Sequence, residues 1–166
     1  MRRILDTLYG AAGLLAGVCT IGVLVSVLAA ILARQFNWNI QGTDAYAGYF
    51  MAAAGFLALA STFKHGEHIR VTLLLNSLKP AASRRLDIFA LAAGALLAAA
   101  FAFFSFKLML DSHTFNDIST SNDATPLWIP QASMAAGTLL FFIAIVDELV
   151  RRIRGYNAPT SQQTHE

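Results

Sequence analysis

Three polar side chains close together in this 166-residue chain have the types and spacing of metal ligands. His65 and His68 lie three residues apart, so they share one face if the segment is helical, and Glu67 lies between them. Two histidines and one carboxylate in a basic stretch are too few ligands to indicate a metal site. We therefore interpret this group as a charged interface that faces lipid headgroups or a partner, and we predict no metal site.

A second group of titratable side chains could carry acid–base chemistry. Asp111, His113, Asp117 and Asp123 fall within a stretch rich in Ser, Thr and Asn that runs from Leu108 to Asp123. General acid–base catalysis requires such groups to be fixed within hydrogen-bond reach of a substrate. A Ser/Thr-rich loop supplies no such clamp, so we interpret this stretch as a solvated or docking loop. We predict that the chain is not an enzyme and has no cofactor.

The chain that positions these groups has the composition of a membrane protein. Hydrophobic residues make up 56% and charged residues 13% of it, with a mean hydropathy of +0.54. A soluble domain carries about 25% charged residues. The formal net charge of +2 is too small to indicate a nucleic-acid partner. Cys19 is the single cysteine, which excludes an internal disulfide or a cysteine metal cluster.

Four stretches without any charged residue are long enough to cross a hydrocarbon core of about 30 Å. They run from Thr7 to Ala33, Ala45 to Phe63, Ile88 to Phe106 and Ala124 to Val146. We predict an all-α membrane protein with four transmembrane helices. The expected spans are about 8–33, 45–63, 88–106 and 126–150, within a single membrane domain of residues 1–155 that precedes a disordered cytoplasmic tail of residues 156–166.

The distribution of lysine and arginine predicts the orientation. Two of these residues precede the first stretch, five lie between the second and third, and three follow the fourth, whereas the first and third connections hold one each. The positive-inside rule places the ten in the cytoplasm, so both termini are predicted to be cytoplasmic. Trp38 and Trp128 then lie at the outer interface, where tryptophan is enriched.

The cytoplasmic connection has the pattern of an amphipathic helix. Val71, Leu74, Leu75 and Leu78 follow helical spacing, and Pro80 is expected to stop the helix. We predict an interfacial helix over about residues 67–79, between the second and third spans, lying flat on the inner leaflet.

The start of the fourth span and the helix-packing residues can be predicted in the same way. Pro126 suits the first turn of the fourth helix, with Asp123 or Thr125 as its cap. Small residues at helix-packing intervals suit close contacts in lipid. They are Gly13 and Gly17 in the first span, and Ala90, Gly94, Ala98 and Ala102 in the third.

The spans contain no Asp, Glu, Lys, Arg or His before Asp147. Proton relays, ion pathways and haem sites inside membranes depend on such side chains. We therefore expect that this chain does not move a solute alone. The alternatives are a membrane-anchored assembly factor and a small membrane enzyme or haem protein, which would show activity or cofactor absorbance when purified alone.

Two segments resemble a known family of transporter subunits. The segment Lys64–Leu74 (KHGEHIRVTLL) and the segment Thr125–Gln131 (TPLWIPQ) are similar to signatures of the small membrane subunit of tripartite ATP-independent periplasmic (TRAP) transporters. The four-span layout and total length are also similar, so the resemblance covers nearly the whole chain.

The resemblance implies a static brace in the bacterial inner membrane, contacting lipids and a large permease subunit. That subunit performs sodium-coupled symport of an organic acid (a C4-dicarboxylate, sialic acid or similar), which a periplasmic substrate-binding protein delivers. The expected subunit or lipid contacts on the cytoplasmic side are Lys64, Glu67, His68, Arg70, Arg84 and Arg85. The expected structural or docking residues on the outer side are Pro126, Trp128 and Pro130.

Overall fold

Four long α-helices make up most of the computed structural model, which describes residues 2–38, 42–64, 80–121 and 123–154. They are α1 (Arg2–Gln35), α2 (Thr43–Lys64), α3 (Pro80–Thr114) and α4 (Trp128–Ile153). Within these described ranges, the only β-type pairing is an isolated antiparallel bridge between Ile118 and Pro126.

Each of the four helices is long and apolar enough to cross a membrane, which confirms the predicted all-α, four-span architecture. At about 1.5 Å per residue, α1 and α3 are roughly 50 Å long, well beyond a hydrocarbon core of about 30 Å. The helices therefore continue past the uncharged stretches seen in the sequence. The predicted interfacial helix at 67–79 and the tail at 156–166 lie outside the described residues.

The helices form an open row rather than a closed four-helix bundle. α1 packs along α2, α2 along α4, and α4 along α3, while the other pairs make few contacts among the described residues. Single side chains add to this arrangement: Tyr9 of α1 joins a buried cluster with Ala60 and Ala144, and the rings of Phe56 and Phe101 lie 5.9 Å apart. α1 and α3 are therefore the two flanks of the row.

The most buried residues of α1 form one narrow stripe, with Gly13, Gly22 and Ala29 half-buried beside it. The stripe repeats at alternating intervals of four and three residues, which is the 3.5-residue period of a left-handed coiled coil. Its members are Leu5, Tyr9, Ala12, Ala16, Cys19, Val23, Ser26, Ala30 and Ala33. Because α2 is the neighbour that packs along α1, this stripe is the α1–α2 seam.

α3 is built in the same way on the opposite flank. Its buried and half-buried stripe also alternates between intervals of three and four residues. The stripe consists of Ile88, Leu91, Ala95, Ala98, Ala102, Ser105, Met109 and Ser112. Of the four small residues singled out in the third span, Ala98 and Ala102 are in this seam, whereas Ala90 is exposed and a Cβ on Gly94 would meet nothing within 4 Å.

α4 lies inside the row and is its most buried helix. Gly137 brings α4 against the backbone of α2. A Cβ on Gly137 would overlap the carbonyl group of Phe56 and lie 2.9 Å from the Phe56 Cβ. Only glycine permits so close an approach, which makes this contact the tightest point of the α2–α4 seam.

Asparagine ends α1 and α3 with similar geometry. Asn37 and Asn116 adopt positive φ angles of 54° and 52°. The following amides, of Trp38 and Asp117, donate to the carbonyl oxygens of Ala33 and Ser112 at 2.8 Å and 3.0 Å. This pattern closes a helix with a left-handed residue, a position that asparagine tolerates. The stretch predicted as a loop from residue 108 onwards is therefore helical up to Thr114.

Candidate functional site

The charged side chains of the helix row are gathered at its two ends. We call the end with the start of α1, the end of α2, the start of α3 and the end of α4 the termini end. The opposite end, with the connections after α1 and α3, is the loop end. The uncharged stretches lie between them.

Arg152 links α3 to α4 at the termini end. Its Nη1 lies 2.8 Å from Asp87 Oδ2 on α3, and its Nε donates to Glu148 Oε1 at 3.0 Å. Glu148 Oε2 also accepts from Arg151 Nη1 at 3.3 Å. The Arg152, Asp87 and Glu148 side chains are only 15–21% exposed, so solvent screens this network less than a surface ion pair.

Arg84 adds a second link between the same two helices. Its Nη2 donates to the carbonyl oxygens of Ile153, at 3.2 Å, and Arg152, at 3.5 Å. These carbonyls belong to the last turn of α4, where a helix lacks internal donors and carries a partial negative charge. Arg84, a predicted subunit or lipid contact, thus caps a helix of its own chain, whereas Arg85 beside it is exposed.

The other residues predicted as contacts at this end are either at the end of a helix or outside the described residues. Lys64 is the last residue of α2. Glu67, His68 and Arg70 lie outside the described residues. The contacts of Asp87 with Arg152 and of Arg84 with α4 were not predicted, because they join residues more than 60 positions apart and leave no local spacing signal.

At the loop end, Asp123 fastens the α3–α4 connection to α2. The Tyr49 hydroxyl donates to Asp123 Oδ2 at 3.0 Å. Gly42 packs against the same residue, with a φ of +83° and a notional Cβ only 2.7 Å from the Asp123 Cβ. Both the backbone angle and the space therefore require glycine at position 42.

Hydrogen bonding lowers the pKa of the Asp123 carboxyl below its usual value. The Thr125 hydroxyl contributes most, and the Ser119 and Tyr49 hydroxyls add to the effect, while partial burial opposes it. These donors stabilise the ionised form. The Asp123 carboxylate is therefore the charged centre of a small polar cluster that holds both loop-end connections together.

The loop end also determines how α4 begins, and here one prediction was wrong. α4 begins at Trp128, and its N-cap residue Leu127 has no side-chain cap, so neither Asp123 nor Thr125 caps the helix. Pro126 pairs with Ile118 in the isolated bridge instead of lying in the first turn. The connection folds back on itself there, with Ser119 N donating to Thr125 O at 2.8 Å.

Trp128 and Pro130, two of the predicted outer residues, lie in the first turn of α4. The Trp128 ring packs edge-on against the ring of His113 at the end of α3, with a centroid distance of 5.5 Å. The Pro130 carbonyl accepts from the Ser133 hydroxyl at 2.7 Å. Trp128 therefore ties α4 to the last turn of α3 and remains 39% exposed.

The titratable groups predicted to crowd the outer loop belong to separate elements. Asp111 and His113 are in the last turns of α3, Asp117 follows its end, and Asp123 faces Tyr49. In the part of the chain that the structure describes, no three His, Cys, Asp or Glu residues are arranged to hold a metal ion. Three of these groups, Asp111, His113 and Asp117, are exposed on the surface of the loop end.

Large apolar side chains are exposed around this surface. Phe115 is 75% exposed and Ile118 60% exposed on the α3–α4 connection. Phe36 and Trp38 stack at 5.4 Å where α1 ends. Exposed apolar groups at the rim of a membrane domain suit contacts with headgroup-level lipid or with a protein.

Comparison with known proteins identifies the family of this chain. Residues 23–155 match the family described as "Tripartite ATP-independent periplasmic transporters, DctQ component". No curated protein matches the chain. The match spans most of the sequence and contains the second half of α1 together with α2, α3 and α4. The family is a transporter component, not an enzyme family, and it implies a multi-pass protein of the inner membrane. The chain belongs to the DctQ family and is the small membrane subunit of a tripartite ATP-independent periplasmic transporter.

Proposed function

We propose that this chain braces the large permease subunit of its transporter during sodium-coupled uptake of an organic acid. The acid, a C4-dicarboxylate, sialic acid or similar, is delivered by a periplasmic binding protein. The observation that supports this proposal most is the contrast between the spans and the ends. The uncharged stretches carry no Asp, Glu, Lys, Arg or His, and all the charged contacts described above lie at the two ends.

The open row supports a bracing role in a second way. A closed bundle buries its apolar side chains internally, whereas this row leaves most of α1 and α3 uncovered. Leu14 on α1 and Leu97 on α3 are 70% and 72% exposed. Wide apolar faces on both flanks allow lateral packing against a larger set of membrane helices, with lipid on the remaining surface.

Reconstitution tests this function directly. Vesicles that contain this chain alone, the large subunit alone or both receive the binding protein, the organic acid and an inward sodium gradient. We expect uptake with the complete set and none with this chain alone. Accumulation of the acid by vesicles containing only this chain would refute the brace, since it would show a transport path within these four helices.

The orientation with both termini in the cytoplasm is part of the proposal. It is supported by the ten lysines and arginines on one side against two on the other. In this orientation the termini end faces the cytoplasm, and the loop end, with Trp128 and the exposed Phe115 and Ile118, faces the periplasm. We assign the docking surface of the binding protein to the loop end.

Contacts with the large subunit or with lipid on the cytoplasmic side are assigned to Lys64, Glu67, His68, Arg70, Arg84 and Arg85. Arg84 also donates to the last turn of α4 in its own chain. We predict that Arg70→Glu weakens assembly or transport, because it reverses a charge in the basic connection. The measurement is the yield of the co-purified complex together with its uptake rate. Unchanged yield and uptake would remove Arg70 from the interface.

A further inference from the structure

The ion-pair network between α3 and α4 at the termini end balances its own charges. Glu148 pairs with Arg151, at 3.3 Å, and with Arg152, at 3.0 Å. Arg152 also pairs with Asp87 at 2.8 Å. Asp147 lies on a different face of α4, where it lines a cavity between α1, α2 and α4. The two carboxylates between α3 and α4 are therefore already matched by two arginines.

Three arginines at this end have no carboxylate partner within the described residues. Arg84 donates to the carbonyl oxygen of Ile153 at 3.2 Å, and this acceptor carries no full charge. Arg85 follows Arg84 in the chain, and Arg154 follows Ile153. Among the described residues, the exposed side chains of Arg85 and Arg154 make no hydrogen bond or ion pair. The adjoining ends of α3 and α4 therefore carry three unmatched positive charges.

The surface of α3 beyond these arginines is apolar and exposed. Phe89, Leu96 and Phe103 recur every seven residues and are 71%, 72% and 66% exposed. Arg85 precedes Phe89 by four residues, so it begins the same helix face. Leu96 lies about 17 Å from Arg85 along the helix axis, close to half of a hydrocarbon core of about 30 Å. This face therefore suits a ligand with an anionic head and an apolar body one leaflet long.

The arginines lie at the depth of lipid headgroups. The uncharged stretch of α3 begins at Ile88, only about 5 Å along the helix from Arg85. The headgroup layer on each side of the hydrocarbon core is roughly 5–8 Å thick. In the orientation proposed above this layer belongs to the inner leaflet, and the inference rests on the proposed function only for that choice of leaflet.

We propose that the adjoining ends of α3 and α4 bind an anionic glycerophospholipid of the phosphatidylglycerol class. Its phosphate lies against the guanidinium groups of Arg84, Arg85 and Arg154, which donate charged hydrogen bonds to phosphate oxygens. One acyl chain lies along Phe89 and Leu96. A zwitterionic headgroup brings an ammonium, which the unmatched arginines repel. A free phosphate ion has no chain to cover the apolar face.

Lipid titration of the purified full-length chain tests this site. Delipidated protein in detergent receives dioleoyl phosphatidylglycerol, dioleoyl phosphatidylethanolamine or inorganic phosphate. Native mass spectrometry reports retained lipid, and thermal unfolding reports stabilisation. We expect retained adducts and the largest rise in Tm with phosphatidylglycerol. Inorganic phosphate at the same concentration should leave Tm unchanged.

Variants locate the site on the chain. Arg85→Gln and Arg154→Gln should each weaken phosphatidylglycerol binding about fivefold, the usual effect of one basic residue beside anionic lipid. Neither side chain belongs to the Arg152 network, so both variants should fold. Arg34→Gln is the matched control, because it removes an exposed arginine in the last turn of α1, at the loop end. It should leave the affinity for phosphatidylglycerol unchanged.

Equal retention of phosphatidylglycerol and phosphatidylethanolamine would overturn the proposal, and so would equal stabilisation by inorganic phosphate. A loss in Arg34→Gln as large as that in Arg85→Gln would show attraction to overall charge only. Unchanged lipid binding in Arg154→Gln, with a lower yield of the co-purified complex, would assign the arginines to the large subunit instead. The lipid titrations use this chain by itself, so their failure would leave the proposed bracing function untouched.

Discussion

Gly137 and Gly17 show how differently two glycines of one membrane domain can be used. Gly137 lies against the Phe56 backbone at the α2–α4 seam, whereas a Cβ on Gly17 would meet nothing within 4 Å. Sequence spacing favoured Gly17, because it forms a GxxxG pair with Gly13. A GxxxG pair requires both glycines to face the same partner, and of these two only Gly13 does so: a Cβ built on it would lie 2.9 Å from Ser61 Oγ.

We therefore predict that Gly137→Val destabilises the protein by about 1–3 kcal/mol, the usual cost of overpacking a tight site. Thermal unfolding in detergent measures this effect. Gly17→Val is the matched control, since it makes the same change in helix propensity without introducing a clash. Equal destabilisation by the two substitutions would show that the α2–α4 contact at Gly137 is not the tightest point of the row.

The lowered pKa of Asp123 makes the loop end sensitive to acid. A carboxyl whose pKa is depressed on folding stabilises the folded state above its unfolded pKa, near 3.9, and loses that contribution as the pH falls through the folded value. We predict that acidification below about pH 4 loosens the loop end in the wild type. Asp123→Asn should be less stable at neutral pH and should lose less on acidification. Parallel pH profiles of Tm for both proteins would contradict this role.

At the scale of helices, the sequence was most informative about number and apolar character. Four uncharged stretches predicted four spans, because a helix in lipid must be free of charged residues along the whole length of its span. The positions of the helix ends were predicted less well, because a helix can continue beyond the first charged residue that follows an uncharged stretch. α3 continues through Lys107, Asp111 and His113 to Thr114, where Asn116 ends it through its backbone conformation.

Contacts between helices were the part that sequence could not supply. The α1 and α3 seams use alanine and serine at a 3.5-residue period, but alanine is so common in this chain that many other stripes look equally plausible. Pairing of Arg152 with Asp87, and of Tyr49 with Asp123, depends on which helices are neighbours in space. Without knowledge of the row order, no local spacing identifies such pairs.

The link between α3 and α4 yields a prediction at this scale. Arg152→Gln removes the contacts to Asp87 and Glu148 and leaves both carboxylates shielded from solvent, so we expect a loss of about 1–3 kcal/mol. Unfolding in detergent measures the loss, and high salt should not reproduce it in the wild type. Arg154→Gln, at an exposed position after α4, should have little effect. Similar losses in both variants would mean that overall charge matters rather than this contact.

For the molecule as a whole, the proposed orientation makes a clear labelling prediction. Cys19 is the only cysteine, so a Cys19→Ala background accepts single reporter cysteines. In intact cells, Ser121→Cys at the loop end should react with a membrane-impermeant maleimide. Ser161→Cys in the tail should react only after permeabilisation. Labelling of the tail in sealed cells would place the C-terminus outside and invert the proposed docking surfaces.

The open order of the helices also bears on the mechanics of a brace. An open row of helices resists sliding along its seams, where small residues pack and Arg152 links α3 to α4. It offers less resistance to bending about those seams, because few contacts join helices that are not neighbours in the row. Resistance to bending must then come from whatever packs against the two faces of the row. Such a subunit stiffens on assembly, and amide hydrogen exchange in α1 and α3 should slow most when the large subunit binds.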